Sequence, residues 1–216
     1  MRILLIDHGC CDPPHTRLHR LRAGLEAVGC TVAVCGPSSI NAFEEQPPGV
    51  HGIHLHDVAA GSREFLAAIR DGSPAAFLGV VPKVPARLLG LTRETARQII
   101  AAAADAIFPD AIFVFHAGIL ADLAVETGAP VAVHVSAVDL DAAESRPSLR
   151  RLVEAALGSA DAIVADDHTV ATRLADDWIA ADAVPRCTTW TCTDDLAVRV
   201  AETCRLALAR RRGEIG

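Results

Sequence analysis

Two unbroken apolar runs, Phe113-Val114-Phe115 and Val131-Ala132-Val133, each lead into a histidine, His116 and His134, where a loop begins. A strand that is apolar on both faces needs cover on both faces, and a parallel sheet packed between helices supplies it. Two such strands ending in imidazoles point to one site at the carboxyl edge of that sheet, where open α/β folds bind ligands.

The rest of the chain repeats the alternation of strand and helix. Ile3-Leu4-Leu5-Ile6 ends at Asp7, and a Gly/Cys/Pro loop precedes a helix near Thr16 to Val28 that Gly29 stops. Thr31 to Cys35 forms a second strand, and Ile53-His54-Leu55-His56 alternates with period two as an edge strand does. Arg63 to Asp71 fits a short helix. The stretch from Gly72 to Leu91, with Pro74, Pro82 and Pro85, fits no element and reads as a ligand-facing excursion. Further helices are expected over Thr92 to Ala106, Ile119 to Thr127, Ser148 to Ser159, His168 to Ala180 and 194–212. Strands are expected over Ala111 to Phe115, Val131 to Val135, Asp161 to Ala165 and Cys187 to Thr191. The fold class is α/β: a single Rossmann-like domain spanning 1–216, a parallel sheet of six or seven strands with helices on both faces, closed by the C-terminal helix.

Composition narrows the function. A chain of 216 residues, 51% hydrophobic and 22% charged, can bury a substantial core. Its net charge of -7 argues against nucleic acid or an anionic membrane as partner, because both require a basic face. The dense basic cluster Arg210 to Arg212 reads as a solvated helix end complementing the macrodipole. No apolar run reaches transmembrane length, and Met1-Arg2 opens nothing like a signal peptide. The seven cysteines lack metal or disulfide-framework spacing, as reduced thiols of a cytoplasmic protein would.

Several chemistries are excluded by detail. The loop His8-Gly9-Cys10-Cys11-Asp12 lacks the three spaced glycines of a dinucleotide fingerprint, and the second strand ends in Cys35-Gly36 where a ribose-binding acid would stand. Lys83 is the one lysine and follows no glycine loop, which excludes a Walker motif and argues against Schiff-base chemistry. His15 and His19 stand four apart on a helix but lack a third ligand, so no metal is called for. His54, His56 and Asp57 read as a solvent-facing polar strand face. Asp139, Asp141, Glu144 and Arg146 either contact a ligand's hydroxyls or cap a helix entry. Asp166-Asp167-His168 carries the same two readings.

Taken together, Arg2-Ile-Leu-Leu-Ile-Asp-His-Gly9, Thr31-Val-Ala-Val-Cys-Gly-Pro37, Pro109-Asp-Ala-Ile-Phe-Val-Phe-His-Ala-Gly118, Gly128-Ala-Pro-Val-Ala-Val-His-Val-Ser-Ala-Val-Asp139 and Ser159-Ala-Asp-Ala-Ile-Val-Ala-Asp166 resemble the N-terminal, acceptor-side domain of GT-B glycosyltransferases, particularly the retaining group often called family 4. The resemblance implies transfer of a sugar from a nucleotide sugar to a hydroxyl acceptor, with no cofactor. It makes His134 the catalytic candidate near the transferred sugar and Gly9, His116, Gly118 and Asp139 the substrate-binding candidates. The alternative for both histidines is that they cap strands and bond nearby backbone.

The sequence departs from that family in two respects. Cys10-Cys11 replaces a second glycine in the first loop, and after Asp177 there is room for one strand and one helix, not for a nucleotide-binding domain. The expectation is therefore an acceptor-side half that works with a separate donor-binding subunit or is a piece of a larger enzyme, its last helix either equivalent to the one that crosses back in complete GT-B enzymes or an ordinary closing helix. A non-catalytic descendant that binds a small ligand or assembles a complex is the alternative. A homo-oligomer is allowed by the apolar face of the last helix.

Overall fold

The computed structural model describes residues 1–9, 11–12, 17–38, 46–55, 62–180, 186–190 and 195–215. Its centre is one sheet of seven parallel strands: β1 (Arg2–Ile6), β2 (Thr31–Ser38), β3 (Val50–His54), β4 (Ala111–Phe115), β5 (Val131–Val135), β6 (Ala162–Ala165) and β7 (Cys187–Thr189), in the order β3-β2-β1-β4-β5-β6-β7. The winding reverses direction between β1 and β4, where Ile3 lies opposite Ala111 and Ile6 opposite Val114. This is the doubly wound, Rossmann-like architecture expected from the alternation.

Alternate side chains leave the strands on opposite faces, and each face has its own core. Ile3, Leu5, Val32, Val34, Phe113 and Phe115 pack under two helices, α1 (Arg17–Ala27) and the C-terminal α9 (Leu196–Arg211). Leu4, Ile6, Cys35, Ile112, Val114, Val133 and Ile163 pack under the rest: α2 (Arg63–Asp71), α3 (Pro74–Val80), α4 (Ala86–Ile107), α5 (Ala121–Glu126), α6 (Ala137–Glu144), α7 (Pro147–Ser159) and α8 (His168–Asp177). Two-sided burial is why the central strands read as continuous apolar runs. On the first face α1 and α9 cross closely because both are small at the contact. A Cβ on Gly24 would lie 2.9 Å from the Cβ of Ala197.

The excursion expected over Gly72 to Leu91 is instead packed structure. The Ser73 hydroxyl caps α3 by accepting from the Ala76 amide, and Pro74 fits the first helical position, where no amide hydrogen is needed. Phe77, Leu78 and Val81 are buried, a short 3-10 turn follows at Val81–Lys83, and α4 begins after Pro85, six residues before Thr92. The prolines start elements here and do not interrupt them. The helix α6 was not expected as an element; Ser136 and Asp139 build a capping box for it.

The basic cluster at the end of α9 is also more than a solvated helix end. Arg210 Nη1 donates to the carbonyls of Asp161 and Arg186, and Arg211 pairs with the Asp161 carboxylate. Cys11, Cys30, Cys35, Cys187 and Cys204 form no disulfide among the described residues; Cys10 and Cys192 lie outside them. No helix among the described residues is long and apolar enough to cross a membrane.

Candidate active site

Strand order converts sequence position into a row of imidazoles. β1 ends in Asp7-His8, β4 in His116, and β5 carries His134 next to its end, so adjacent strands present His8, His116 and His134 side by side. Ring centroids are 6.2 Å apart from His8 to His116 and 6.0 Å from His116 to His134, each pair nearly perpendicular at 89° and 84°. The row begins at the reversal point of the sheet.

His8 is fully enclosed. Its Nδ1–H donates to the Phe115 carbonyl at 3.1 Å and its Nε2 accepts from the Leu120 amide at 3.3 Å, which fixes the neutral tautomer. Burial, reinforced by the neighbouring His116, pushes its pKa down to about 4.

His116 is buried in a left-handed backbone conformation, φ +70°, which a residue with a side chain adopts only when its surroundings hold it there. Its Nδ1 lies 3.2 and 3.3 Å from the two oxygens of Asp139 and 3.3 Å from the Ser136 hydroxyl. Asp139 is 1% exposed, and its Oδ2 accepts from the Ser136 amide at 2.7 Å and the Ser136 hydroxyl at 3.0 Å. Burial disfavours the charged His116 ring, but the Asp139 carboxylate outweighs it and raises the pKa above the ordinary value. Burial also disfavours the Asp139 carboxylate, and the same partnership with His116 holds its pKa below the usual range. With Nδ1 committed to Asp139, the buried His116 Nε2 has no hydrogen-bond partner among the described residues.

His134 repeats the arrangement with a more open acid. Its Nε2 lies 3.4 Å from Asp166, a residue 58% exposed at the side chain, and its buried Nδ1 has no partner among the described residues. The ring packs 5.0 Å from Trp190 and 5.9 Å from Phe115. Arg17, the first residue of α1, places its guanidinium 4.1 Å over the Phe115 ring. Two buried histidines are thus each tied to a carboxylate through one nitrogen, and the other nitrogen of each is buried with no hydrogen-bond partner among the described residues.

The structure brings four of the five candidates from the sequence around this row and gives them different tasks. The Gly118 backbone lies flat on His8: a Cβ there would be 2.6 Å from Nε2 and 2.6 Å from a Leu78 methyl. The Gly9 amide donates to Asp7 Oδ1, and a Cβ on Gly9 would be 2.9 Å from the Gly72 carbonyl, so this glycine seats the first loop against the start of α3. Asp139 works through His116 and Ser136. Other acids named from the sequence serve the scaffold: Asp141 and Glu144 bind Arg173, Asp167 caps α8, and Arg146 donates to the Val84 carbonyl at 2.7 Å. His19 bonds the Cys11 carbonyl; His15, His56 and Asp57 lie outside the described residues. Among the described residues no group of three or more His, Cys, Asp or Glu is placed to hold a metal ion.

Sequence reading passed over His8 and Ser136. The signal for His8 was present, since it follows the first strand as His116 follows the fourth. Nothing marks Ser136 until Asp139 is seen beneath His116.

No protein-family profile matches the chain, and no curated protein matches it in sequence. Solved structures do share its fold. A fragment of sucrose-phosphate synthase from Thermosynechococcus elongatus superposes with a TM-score of 0.54 at 12% identity, covering 95% of this chain and 98% of the fragment. The longer sucrose-phosphate synthase chain from the same organism gives 0.53 at 15% identity, covering 90% of this chain and 49% of that one. UDP-GlcNAc 2-epimerase from Neisseria meningitidis, bound to UDP-GlcNAc, gives 0.50 at 12% identity, covering 99% and 53%. The chain therefore shares its α/β fold with these structures, and it spans about half the length of the longer chains it matches.

Proposed function

We propose that this chain is the acceptor-side half of a GT-B glycosyltransferase, family-4-like in its strands, which transfers a sugar from a nucleotide sugar to a hydroxyl acceptor in the cytoplasm with a donor-binding domain supplied by a separate chain. The observation that carries the proposal is the His116–Asp139 pair: a buried imidazole whose Nδ1 is committed to a carboxylate and whose Nε2 has no partner among the described residues. The superposition on sucrose-phosphate synthase and UDP-GlcNAc 2-epimerase supports it at the level of fold.

The chemistry follows from the geometry. In its neutral form His116 carries its proton on Nδ1 and offers a lone pair at Nε2. An acceptor hydroxyl bonded there gives its proton to Nε2 as its oxygen attacks the anomeric carbon on the face opposite the leaving phosphate oxygen, whose bond to that carbon breaks. This single displacement inverts the anomeric centre, so the likeness to the retaining group is one of strands and not of stereochemistry. Asp139 stabilises the imidazolium that forms, as a buried carboxylate does for any histidine base. His134, held at Nε2 by Asp166, offers Nδ1 to a hydroxyl of the sugar. Developing charge is thereby met by groups already in place, which lowers the cost of reorganisation.

The test is to purify the tagged chain gently from its own cells, measure native mass, and assay the preparation for nucleoside diphosphate release from a panel of nucleotide sugars. A second chain that binds a nucleotide sugar, with release that requires His116, supports the proposal. A chain that arrives alone or as a homo-oligomer and neither binds nor turns over any nucleotide sugar overturns it. That outcome favours the second reading, a non-catalytic ligand-binding or assembly protein, for which the half-length match speaks.

A further inference from the structure

We propose that His8 is a positioning residue for His116: its ring clamps both ends of the turn that carries His116 and so keeps Nε2 of His116 aimed at the acceptor. This rests on the acceptor-side reading for its purpose, though not for its geometry.

The turn runs from Phe115, the last residue of β4, to Leu120, just before α5. One imidazole from a strand more than a hundred residues earlier closes it, by donating from Nδ1 to the Phe115 carbonyl and accepting at Nε2 from the Leu120 amide. Between those two bonds lie the left-handed His116 and Gly118, whose backbone rests on the His8 ring so closely that no Cβ would fit. The Phe77 ring lies 6.0 Å from the His8 ring, tilted by 55°. A left-handed conformation at a residue with a side chain persists only where neighbours hold it, and a ring fixed at both nitrogens and packed against Gly118 and Phe77 is such a hold.

The clamp depends on His8 staying neutral. A second proton on Nε2 would remove the acceptor that the Leu120 amide needs, so the burial that depresses the His8 pKa also preserves the clamp. The titratable and charged groups around His116 are Asp139, Asp7, Arg17, His8 and Asp166, with the His134 ring 6.0 Å away. Of these, Asp139 alone bonds its Nδ1, so any rotation out of the left-handed conformation is read directly as a change in that partnership.

Four substitutions separate the parts. His8→Asn retains a donor near the Nδ1 position, His8→Gln retains an acceptor near the Nε2 position, and His8→Leu retains the bulk with neither. Gly118→Ala keeps the imidazole and pushes the turn away from it. Nitrogen-detected imidazole spectra across a pH titration report the His116 pKa without any substrate. The expected result is a fall of that pKa toward its ordinary value in His8→Leu and Gly118→Ala, with smaller falls in His8→Asn and His8→Gln. Where the enzyme pair is in hand, kcat should drop about 100-fold in His8→Leu with KM little changed, the scale of a 1 Å misplacement.

An unchanged His116 titration in His8→Leu and Gly118→Ala, with only the melting temperature lowered, overturns the inference and makes His8 a core residue. If His8→Leu does not fold, the Gly118→Ala titration decides alone. Shifted titrations together with no turnover in the wild-type pair would leave the positioning role standing and remove the glycosyltransferase reading.

Discussion

Asp161, at the entrance to β6, holds Arg211 of the last helix through both carboxylate oxygens, at 2.9 and 3.0 Å. One of those oxygens also accepts from the Val131 amide at the start of β5, at 2.9 Å. A single, mostly buried acid thus joins two strands to the C-terminal helix, and its two partners differ in worth. Arg211 is 43% exposed, so water screens the ion pair, whereas the Val131 amide has no such compensation. Arg211→Ala should cost less than about 1 kcal/mol, and Asp161→Ala about 1 to 3 kcal/mol from the stranded amide. Urea unfolding midpoints of the two variants check the order; equal losses would show that the helix tether, not the strand bond, carries the energy.

The proposed base makes a kinetic prediction. His116→Gln should lower transfer by roughly 100- to 10,000-fold, the usual yield of a positioned proton acceptor, with the melting temperature changed by only a few degrees. Because His116 titrates above its ordinary value, kcat/KM in the wild type should rise with pH along a limb whose apparent pKa lies above 6.5, where the ring loses its proton. A flat profile across neutral pH would rule out His116 as the group that accepts the proton.

Stability should depend on pH through His8. The folded ring resists protonation until about pH 4, whereas in the unfolded chain it titrates near 6.5. Between those values the unfolded chain binds the extra proton, so stability rises with pH and is lost as pH falls through the window. The full difference amounts to about 3 kcal/mol at most. Urea midpoints measured from pH 7.5 down to 4.5 should fall, and in His8→Leu the dependence across that range should be shallower. His116 behaves in the opposite sense: its raised pKa contributes stability that is present in acid and lost as pH rises through the folded value.

His134 allows a cleaner separation of ligand binding from folding. His134→Gln leaves the contacts with Trp190 and Phe115 largely filled but replaces both ring nitrogens. We expect a melting temperature within a few degrees of wild type and loss of ligand binding or transfer by at least about 10-fold, the worth of one well-made polar contact to a ligand. Isothermal titration with the nucleotide sugar that the enzyme pair uses reads the result. Unchanged affinity with a large drop in melting temperature would make His134 a structural residue.

Strands were the legible part of this fold. A buried parallel strand must be apolar on both faces, and β1, β2, β4, β5 and β6 each announce that requirement within a few residues. The segment from Gly72 to Leu91 was illegible because its prolines occupy helix starts, where proline is favoured, and local punctuation cannot say whether a proline opens an element or ends one. The site was half legible for a related reason. His116 and His134 declare themselves by closing apolar runs, but their partners sit on other elements: Asp139 reads equally well as a helix cap, and it is one, while also lying beneath His116. His8 was hidden by the glycine and cysteines that follow it, which invited comparison with phosphate loops and drew attention from the ring itself.

The pairing of β1 with β4 has a consequence for how the protein is made. The first strand, with His8 behind it, leaves the ribosome long before Ala111 to Phe115 exist to receive it, and the loop that must close between them is most of half the chain. Closing such a loop is slow, so long-range parallel pairing of this kind governs the folding rate. The nascent chain carries β1, β2 and β3 with one flank of β1 unpaired until the fourth strand arrives. The row of imidazoles therefore cannot form until β4 and β5 have been made, and a chain interrupted before β4 would carry His8 with neither a turn to clamp nor a neighbour to hold.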